Sequence, residues 1–239
     1  MKAMYIDALH GASGDMLISS LVDYGLPVLF LKDIIKKNKG KIICDIGCGC
    51  GRDLLYSIKY GAKVVGVDIS KKSLDFARSF VSSHCLDLIE GDNLAIPLED
   101  NYSDLVISDG VIHHTGDAFA AFSECIRIMK HSSFLYLAVY KKWRYYSFLY
   151  TVIGGFFRYI NKFKIGNLVI ERLFVRVHFI LYRIFKKQKL DIYETRNIFF
   201  DYFITPIATF HSKKEIDSWI RKRNCTLVKY SKTKGNCHV

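Results

Sequence analysis

Asp45-Ile46-Gly47-Cys48-Gly49-Cys50-Gly51 is the stretch on which the reading of this chain turns. Its three glycines alternate directly behind a short apolar run, Ile42–Asp45, and ahead of an amphipathic one, Asp53–Tyr60, which Gly61 ends. The pattern predicts a buried strand, a tight loop and a helix. Glycine reaches backbone conformations with positive φ and lets a ligand approach the main chain closely. The helix behind it presents unpaired N–H groups to that ligand. Asp68 lies 21 residues beyond Gly47 and closes a second apolar run, Val64–Asp68. An acid at that point can hydrogen-bond both hydroxyls of a ribose. Loop and acid together predict a ligand that contains a nucleoside.

Outward from this stretch, the same alternation continues. A helix is expected over Lys71–Phe80 behind Ser70, a good N-cap residue, and a third strand over Leu86–Glu90. A fourth strand is expected over Leu105–Ser108, a helix over Ala118–Met129, and a fifth strand over Phe134–Val139. Strands alternating with crossover helices imply an α/β fold, a doubly wound, mostly parallel sheet with helices on both faces. Ligands in such sheets bind beyond the carboxyl ends of the strands, which singles out the loops after Asp45, Asp68, Glu90 and Ser108.

Composition agrees with a folded, well-cored chain. It has 239 residues, half of them hydrophobic, with three prolines and sixteen glycines. The net charge of +12 is unevenly placed. Twelve of the 35 Lys and Arg, but only one of the 23 Asp and Glu, fall between Lys141 and Lys189. Outside that segment, 23 basic and 22 acidic residues nearly cancel. A nucleic-acid-binding protein would carry its charge on a wider surface, and no Asn/Asp-Pro-Pro-aromatic motif is present. Nucleic acid is therefore not an expected partner. Seven cysteines, an odd number without a C-x-x-C pair, read as free thiols in a reducing compartment. Asp7 and Asp15 interrupt the apolar run that a signal peptide needs. A cytoplasmic location is expected. Cys44, Cys48 and Cys50 lack the paired spacing of a zinc site, so no metal is expected.

The loop also discriminates between nucleosides. In the dinucleotide fingerprint a third glycine stands where this chain has Arg52. Asp45, just ahead of the glycines, would repel a pyrophosphate but suits a cationic amino-acid group. That favours S-adenosylmethionine over a nicotinamide cofactor.

Residues 41–140 resemble the class I S-adenosylmethionine-dependent methyltransferases, especially the branch that holds the ubiquinone and menaquinone enzymes. The resemblance rests on Asp45–Gly51, Val65-Gly66-Val67-Asp68-Ile69-Ser70, Glu90-Gly91-Asp92-Asn93-Leu94-Ala95-Ile96-Pro97-Leu98 and Asp104–Asp117, in that order. It implies that Gly47, Gly49 and Gly51 back the methionine and ribose parts of the cofactor, with Asp45, Cys48 and Ser108 in the same set. It implies that Asp68 holds the ribose hydroxyls, that Ile69 packs on adenine, and that Asp92 with Asn93 meets the adenine edge. The segment holding His113 and His114 would lie between cofactor and acceptor. Either histidine can serve as a base if the acceptor must lose a proton, or both can simply pack. His114 leads because His114-x-x-Asp117 matches a pattern common in related enzymes. Such a domain would methylate a small-molecule or lipid-like acceptor. The rival reading is a non-catalytic, membrane-associated module that binds the cofactor.

Three further regions lie outside that resemblance. Residues 141–205 form a basic, aromatic insertion after the fifth strand. Tyr145–Phe157 is uncharged and aromatic but too short to span a bilayer. On a helical projection of Gly166–Lys189, Arg172, Arg176, Arg183, Lys186 and Lys187 share one stripe beside a wide apolar face. That fits a cap over an apolar pocket, peripheral contact of 143–189 with a membrane surface, or both. Beyond it, Ser212-Lys213-Lys214-Glu215 reads as a capping box opening a helix through Arg223, and Tyr202 and His211 are candidate substrate contacts. The family's sheet ends in a sixth and an antiparallel seventh strand. Cys225–Tyr230 can be the sixth, and Asn236–Val239 leaves the seventh short. Residues 1–27 are expected as an appendage: a strand over Met4–Leu9, a loop over His10–Asp15 and a helix over Met16–Tyr24, with residues 28–239 as the main domain. Tyr5–Met16 resembles the opening of the nickel-insertion proteins that mature the lactate racemase cofactor. The match covers about thirty residues and carries no nickel function with it.

Overall fold

Four of the apolar runs become neighbouring parallel strands whose carboxyl ends share one edge. They are β2 (Ile42–Ile46), β3 (Lys63–Asp68), β4 (Cys85–Glu90) and β5 (Ser103–Asp109). The computed structural model describes residues 2–5, 26–79, 81, 85–142, 145–186, 191–230 and 237–238. With β1 (Lys2–Tyr5), β6 (Met129–Tyr140) and β7 (Thr226–Tyr230) the strands lie in the order β4-β3-β2-β5-β6-β1-β7, all parallel. A short β8 (Cys237–His238) pairs antiparallel with Val139 and Tyr140 of β6. The chain therefore forms the doubly wound, mostly parallel sheet that its alternating pattern implies. β2 and β3 are buried almost throughout, as strands covered on both faces must be.

Helices cover both faces. α1 (Leu26–Lys37) opens with Pro27 in its first turn, where the missing N–H costs nothing. α2 (Arg52–Lys59) starts behind Gly51, whose φ of 86° only glycine adopts freely. α3 (Lys71–Arg78) is capped by Ser70, whose side chain accepts from the Ser73 N–H. α4 (Ala118–Arg127) is capped by Asp117. Ile43, Leu105, Ile107 and Tyr136 pack with Leu31, Ile34 and Ile35 of α1 on one face of the sheet. Cys44, Ile46, Val65, Val67 and Val106 pack on the other with Phe122 and Ile126 of α4 and with Ile216 and Trp219 of the last helix. Met129, expected to end a helix, instead opens β6.

Residues 1–27 contribute β1 at Lys2–Tyr5, which overlaps the expected Met4–Leu9 only at Met4 and Tyr5. It joins the sheet between β6 and β7, pairing Lys2 with Phe134 and with Thr226. The loop and helix expected there, and all of the nickel-protein resemblance beyond Tyr5, lie outside the described residues, as does Lys187 of the basic stripe.

The insertion is helical. α5 (Tyr145–Ile160), α6 (Lys164–Val169), a π-helical turn (Ile170–Phe174) and α7 (Val175–Lys186) lead into α8 (Ile192–Phe199) and a second π-helical turn (Phe200–Ile204). Phe157, Ile170, Val175 and Phe199 form its own buried core. The capping box expected at Ser212 and Glu215 is present in full and opens α9 (Lys213–Lys222).

The glycine loop is as tight as its composition suggests. Gly47 has a φ of 76°, and a β-carbon there would stand 2.2 Å from Val111 Cγ1. Gly47→Ala should cost about 1–3 kcal/mol through the strained φ and the clash. Thermal unfolding should show a midpoint roughly 3–10 °C lower. An unchanged midpoint would contradict the close packing of Val111 on this loop.

Candidate cofactor and catalytic site

The loop is pinned to the strand beside it. The Gly47 and Cys48 N–H groups both donate to the Val67 carbonyl, at 2.7 and 3.1 Å. Asp68 then bridges two segments: Oδ2 accepts from the Gly49 N–H and Oδ1 from the Ser70 N–H, both at 2.8 Å. Each carboxylate oxygen keeps a second lone pair for a ligand. Cys48 points inward against Gly66, where a β-carbon would lie 2.8 Å from its sulfur. Burial raises its thiol pKa well above the ordinary value, with Asp45 and Asp68 adding to the shift.

Beneath the loop lies a cavity of about 480 Å³, lined by Asp45, Gly47, Cys48, Gly49, Asp68 and Asp109 among others. Its floor is acidic. Arg52 is buried and its guanidinium contacts Asp53 at 2.5 Å and Asp109 at 2.7 Å. Asp45 is buried beside them. Burial first, then the charges of Asp53, Asp109 and Asp68, raise the Asp45 pKa well above the ordinary carboxylate range against the pull of Arg52. Arg52 Nη1 and Asp109 Oδ1 are buried without a hydrogen-bond partner among the described residues. Two carboxylates thus share one guanidinium with a third buried beside them, and a positively charged ligand group is what such a floor favours.

A second cavity of about 290 Å³ adjoins the first and shares Gly47, Asp68, Val111 and His114 with it. Ile69, Asp92, Asn93 and Leu94 line it. Ile69 is 73% exposed, an apolar side chain with one face free for a flat partner. Of the residues named from sequence, ten therefore line one continuous cleft: Asp45, Gly47, Cys48, Gly49, Asp68, Ile69, Asp92, Asn93 and His114, with Cys50 beside them. Gly51 closes the loop just behind as the cap of α2. Ser108 is fully buried, lines neither cavity, and has no partner for its hydroxyl among the described residues.

The two histidines are placed differently. His113 is fully buried, with its ring 4.2 Å from that of His114 and 3.8 Å from that of Tyr140. It lines neither cavity, so it packs rather than faces the cleft. Burial, reinforced by His114 and His211, lowers its pKa well below the ordinary value. His114 faces both cavities. Its Nδ1 lies 2.8 Å from the Ile207 carbonyl and its Nε2 3.4 Å from Asp201 Oδ1. Burial would lower its pKa, but Asp201 and the Ile207 carbonyl outweigh that and raise it. Tyr202 belongs to the core, and His211 is held by Thr209 at 2.9 Å against Trp219.

Sequence reasoning missed Asp53 and Asp109 on the floor and the whole wall that the insertion supplies, Asn197, Asp201 and Thr205. Asp201 had a visible signal: it is the lone charge in Ile198–Ile204, an otherwise apolar and aromatic run.

The lowered pKa of His113 makes a pH prediction. The unfolded chain takes up a proton near the ordinary value of about 6.5 that the folded chain refuses. Stability is then present above that value and is lost as pH falls below it, by up to about 1.4 kcal/mol per pH unit. His178 and His211, also lowered by burial, act in the same direction. In denaturant titrations between pH 7 and 5, His113→Gln should show a shallower loss than the wild type. Equal slopes would mean that His113 is charged when folded.

Residues 44–137 match a family profile described as a methyltransferase domain. A ubiquinone biosynthesis O-methyltransferase of Coxiella burnetii is 26% identical over 119 residues, 49% of this chain and 50% of that protein. A demethylmenaquinone methyltransferase of Lactococcus lactis is 28% identical over 97 residues, 38% of each chain. The chain spans about half the length, or less, of these curated relatives. Among solved structures, the complex of the Haloferax volcanii Trm112 methyltransferase activator with its methyltransferase partner aligns over 92% of this chain and 79% of that one. The TM-score is 0.55 at 15% identity. A Bacillus halodurans structure described as a methyltransferase aligns over 83% and 68%, with a TM-score of 0.50 at 16% identity. At these identities the structures speak for the fold alone. The fold is Rossmann-like, and the glycine loop, Asp68 and His114 all fall within the part of the chain that matches the methyltransferase-domain profile.

Proposed function

We propose that this chain transfers a methyl group from S-adenosylmethionine to a small-molecule or lipid-like acceptor. The observation that carries the reading is the acidic floor under the glycine loop. Asp45, Asp53 and Asp109 against the single Arg52 would repel a pyrophosphate and attract an ammonium and a sulfonium. The unpartnered Arg52 Nη1 and Asp109 Oδ1 belong to the same wall, beside the amino-acid end of such a ligand. Asp68 keeps lone pairs for two ribose hydroxyls, and Ile69, Asp92 and Asn93 line the adjoining cavity on the side an adenine would take. The residues present therefore fit the cofactor. When bound, it supplies an activated methyl group, so the protein's task is largely to position the acceptor. His114 is the base candidate because it alone of the two histidines faces the cleft.

The acceptor side is built by the insertion, whose Asn197, Asp201 and Thr205 close the cavity. Both curated relatives named above are quinone-pathway methyltransferases by name, which supports an apolar acceptor. The outer surface of the cap supports a membrane source for it. Phe148, Val152, Phe156 and Tyr159 recur at helical spacing along α5 and are exposed, as is Phe163 just beyond it. Ile165, at 78% exposure, begins a second row that Leu173, Val177, Ile180 and Ile184 continue. The exposed Arg172, Arg176 and Arg183 run beside that row. Glu171, the one acid between Lys141 and Lys189, is already paired with Arg196. An apolar stripe flanked by unopposed cations suits an anionic bilayer surface. None of the described helices is long and apolar enough to cross a membrane.

Isothermal calorimetry tests the first half. Wild type should bind S-adenosylmethionine and S-adenosylhomocysteine in the micromolar range, and Asp68→Ala should weaken both by about tenfold or more. A folded wild type that binds neither would overturn the methyltransferase reading and leave the non-catalytic alternative without its ligand as well. Vesicle flotation tests the second half. The protein should float with vesicles rich in phosphatidylglycerol, less with phosphatidylcholine alone, and not after Phe156→Asp, Ile165→Asp and Ile180→Asp together. Equal flotation of the triple variant would remove the membrane from the proposal.

A further inference from the structure

The wall opposite the glycine loop holds a chain of polar contacts that cofactor binding does not use. The Tyr140 hydroxyl, at the buried end of β6, donates to Asp201 Oδ2 at 2.6 Å. Asp201 Oδ1 faces His114 Nε2 at 3.4 Å. His114 Nδ1 meets the Ile207 carbonyl at 2.8 Å. A carbonyl can only accept, so Nδ1 carries a proton and Nε2 is the one ring atom left to take another. His114 and Asp201 both line the cavity.

We propose that His114, Asp201 and Tyr140 form a proton-accepting array for a hydroxyl-bearing acceptor, in which His114 Nε2 takes the proton and Asp201 and Tyr140 position and stabilise it. The inference rests on the methyltransferase reading and names the acceptor atom within it. A neutral amine can attack through its free lone pair and lose its proton only afterwards. A hydroxyl must lose its proton as its oxygen forms the new bond to carbon. The electron pair of the broken sulfonium S–C bond stays on sulfur, and the hydroxyl proton ends on Nε2. Charge balances, because the positive charge leaves sulfur and appears on the imidazole. An imidazolium formed there would be half-buried, and the Asp201 carboxylate beside it offsets the cost. Tyr140 holds that carboxylate from behind, leaving Oδ1 for the histidine.

His113 behind His114 is neutral, and His211 is bound to Thr209. Across the cavity stand Asp45, Asp68 and Asp109 with Arg52. No basic side chain other than Arg52 lines that cavity. Arg52 is engaged by Asp53 and Asp109. The placement of Asp201 also explains why a carboxylate stands in so apolar a run: the π-helical turn of Phe200–Ile204 turns this one side chain toward the cleft while Tyr202 joins the core.

Histidine ¹⁵N NMR of the full chain tests the array without any acceptor. His114 should carry its neutral-state proton on Nδ1 and should titrate above the ordinary value of about 6.5. Asp201→Asn should bring that midpoint down by about one unit or more. Methylation of an alkylphenol in mixed micelles adds a kinetic readout. His114→Gln should lose about 100-fold or more in kcat. Asp201→Asn should lose about tenfold with little change in KM for the cofactor, and its activity should rise at lower pH than that of the wild type. A neutral-state proton on Nε2, a midpoint at or below the ordinary value, or a midpoint indifferent to Asp201→Asn would each overturn the array. Failure of the wild type to bind S-adenosylhomocysteine would instead strike the methyltransferase reading, with the NMR result still deciding the array.

Discussion

Arg52 is the residue around which the cleft is organised. It opens α2 directly behind the glycine loop, and its guanidinium reaches back to Asp109 at the end of β5 while gripping Asp53 on its own helix. One buried cation thereby ties α2 to β5. Breaking either pair would leave an uncompensated charge in a poorly hydrated place, which costs several kcal/mol. The same cation cannot neutralise three carboxylates. Asp45 makes no ion pair with that cation among the described residues, and the crowding of carboxylates around it leaves this side of the cavity suited to a positive group. The geometry of the loop adds to it: Gly47 and Cys48 lie against β3 through one carbonyl, and Asp68 fastens Gly49, so the floor and its rim move as one unit.

The insertion completes the cleft from the other side, and its two surfaces obey opposite rules. Inward, it buries Phe157, Ile170, Val175 and Phe199 and presents Asn197, Asp201 and Thr205 to the cavity. Arg158 caps the Tyr150 and Phe203 carbonyls, and the Tyr150 hydroxyl donates to the Thr205 carbonyl at 2.9 Å. The irregular backbone of the second π-helical turn is thus held by polar contacts on both flanks. Outward, the same helices leave large apolar side chains in contact with water. A monomeric surface rarely tolerates so continuous an apolar face without a use for it.

The fold was legible because the parallel strands are short apolar runs punctuated by glycine and acid. Gly47 and Asp68 could be placed at strand ends from spacing, and Asp92 from the family resemblance. Strand ends carry the ligand chemistry in this architecture, so most of the cofactor side came with the fold. What was not legible depends on contacts far apart in sequence. Tyr140 and Asp201 are 61 residues apart, and Arg52 and Asp109 are 57 apart. No local period joins such residues, and only the assembled sheet and cap bring them together. His113 and His114 show the limit at its smallest. They are adjacent, chemically identical and equally suited to acid–base work, yet a turn of 3₁₀ helix buries one and leaves the other at the cleft.

The charge imbalance of the chain takes on a physical meaning once these parts are seen together. The acidic floor and the basic stripe belong to one molecule but to opposite sides of the cap, with the cap's own aromatic core between them. At physiological ionic strength, charges in water lose sight of each other beyond about 8 Å, so the exposed arginines act on whatever lies outside the cap. The carboxylates under the loop are buried and poorly screened, so they act on whatever enters it. A cationic ligand in the cleft and an anionic surface outside the cap would therefore be attracted independently, each to its own side. Under the function proposed above, the exposed apolar rows beside the arginines would receive an acceptor from an apolar phase before it enters the cleft. The separation leaves most of the chain's excess positive charge in the segment from Lys141 to Lys189 and the carboxylates in the cleft, where the net charge conceals them.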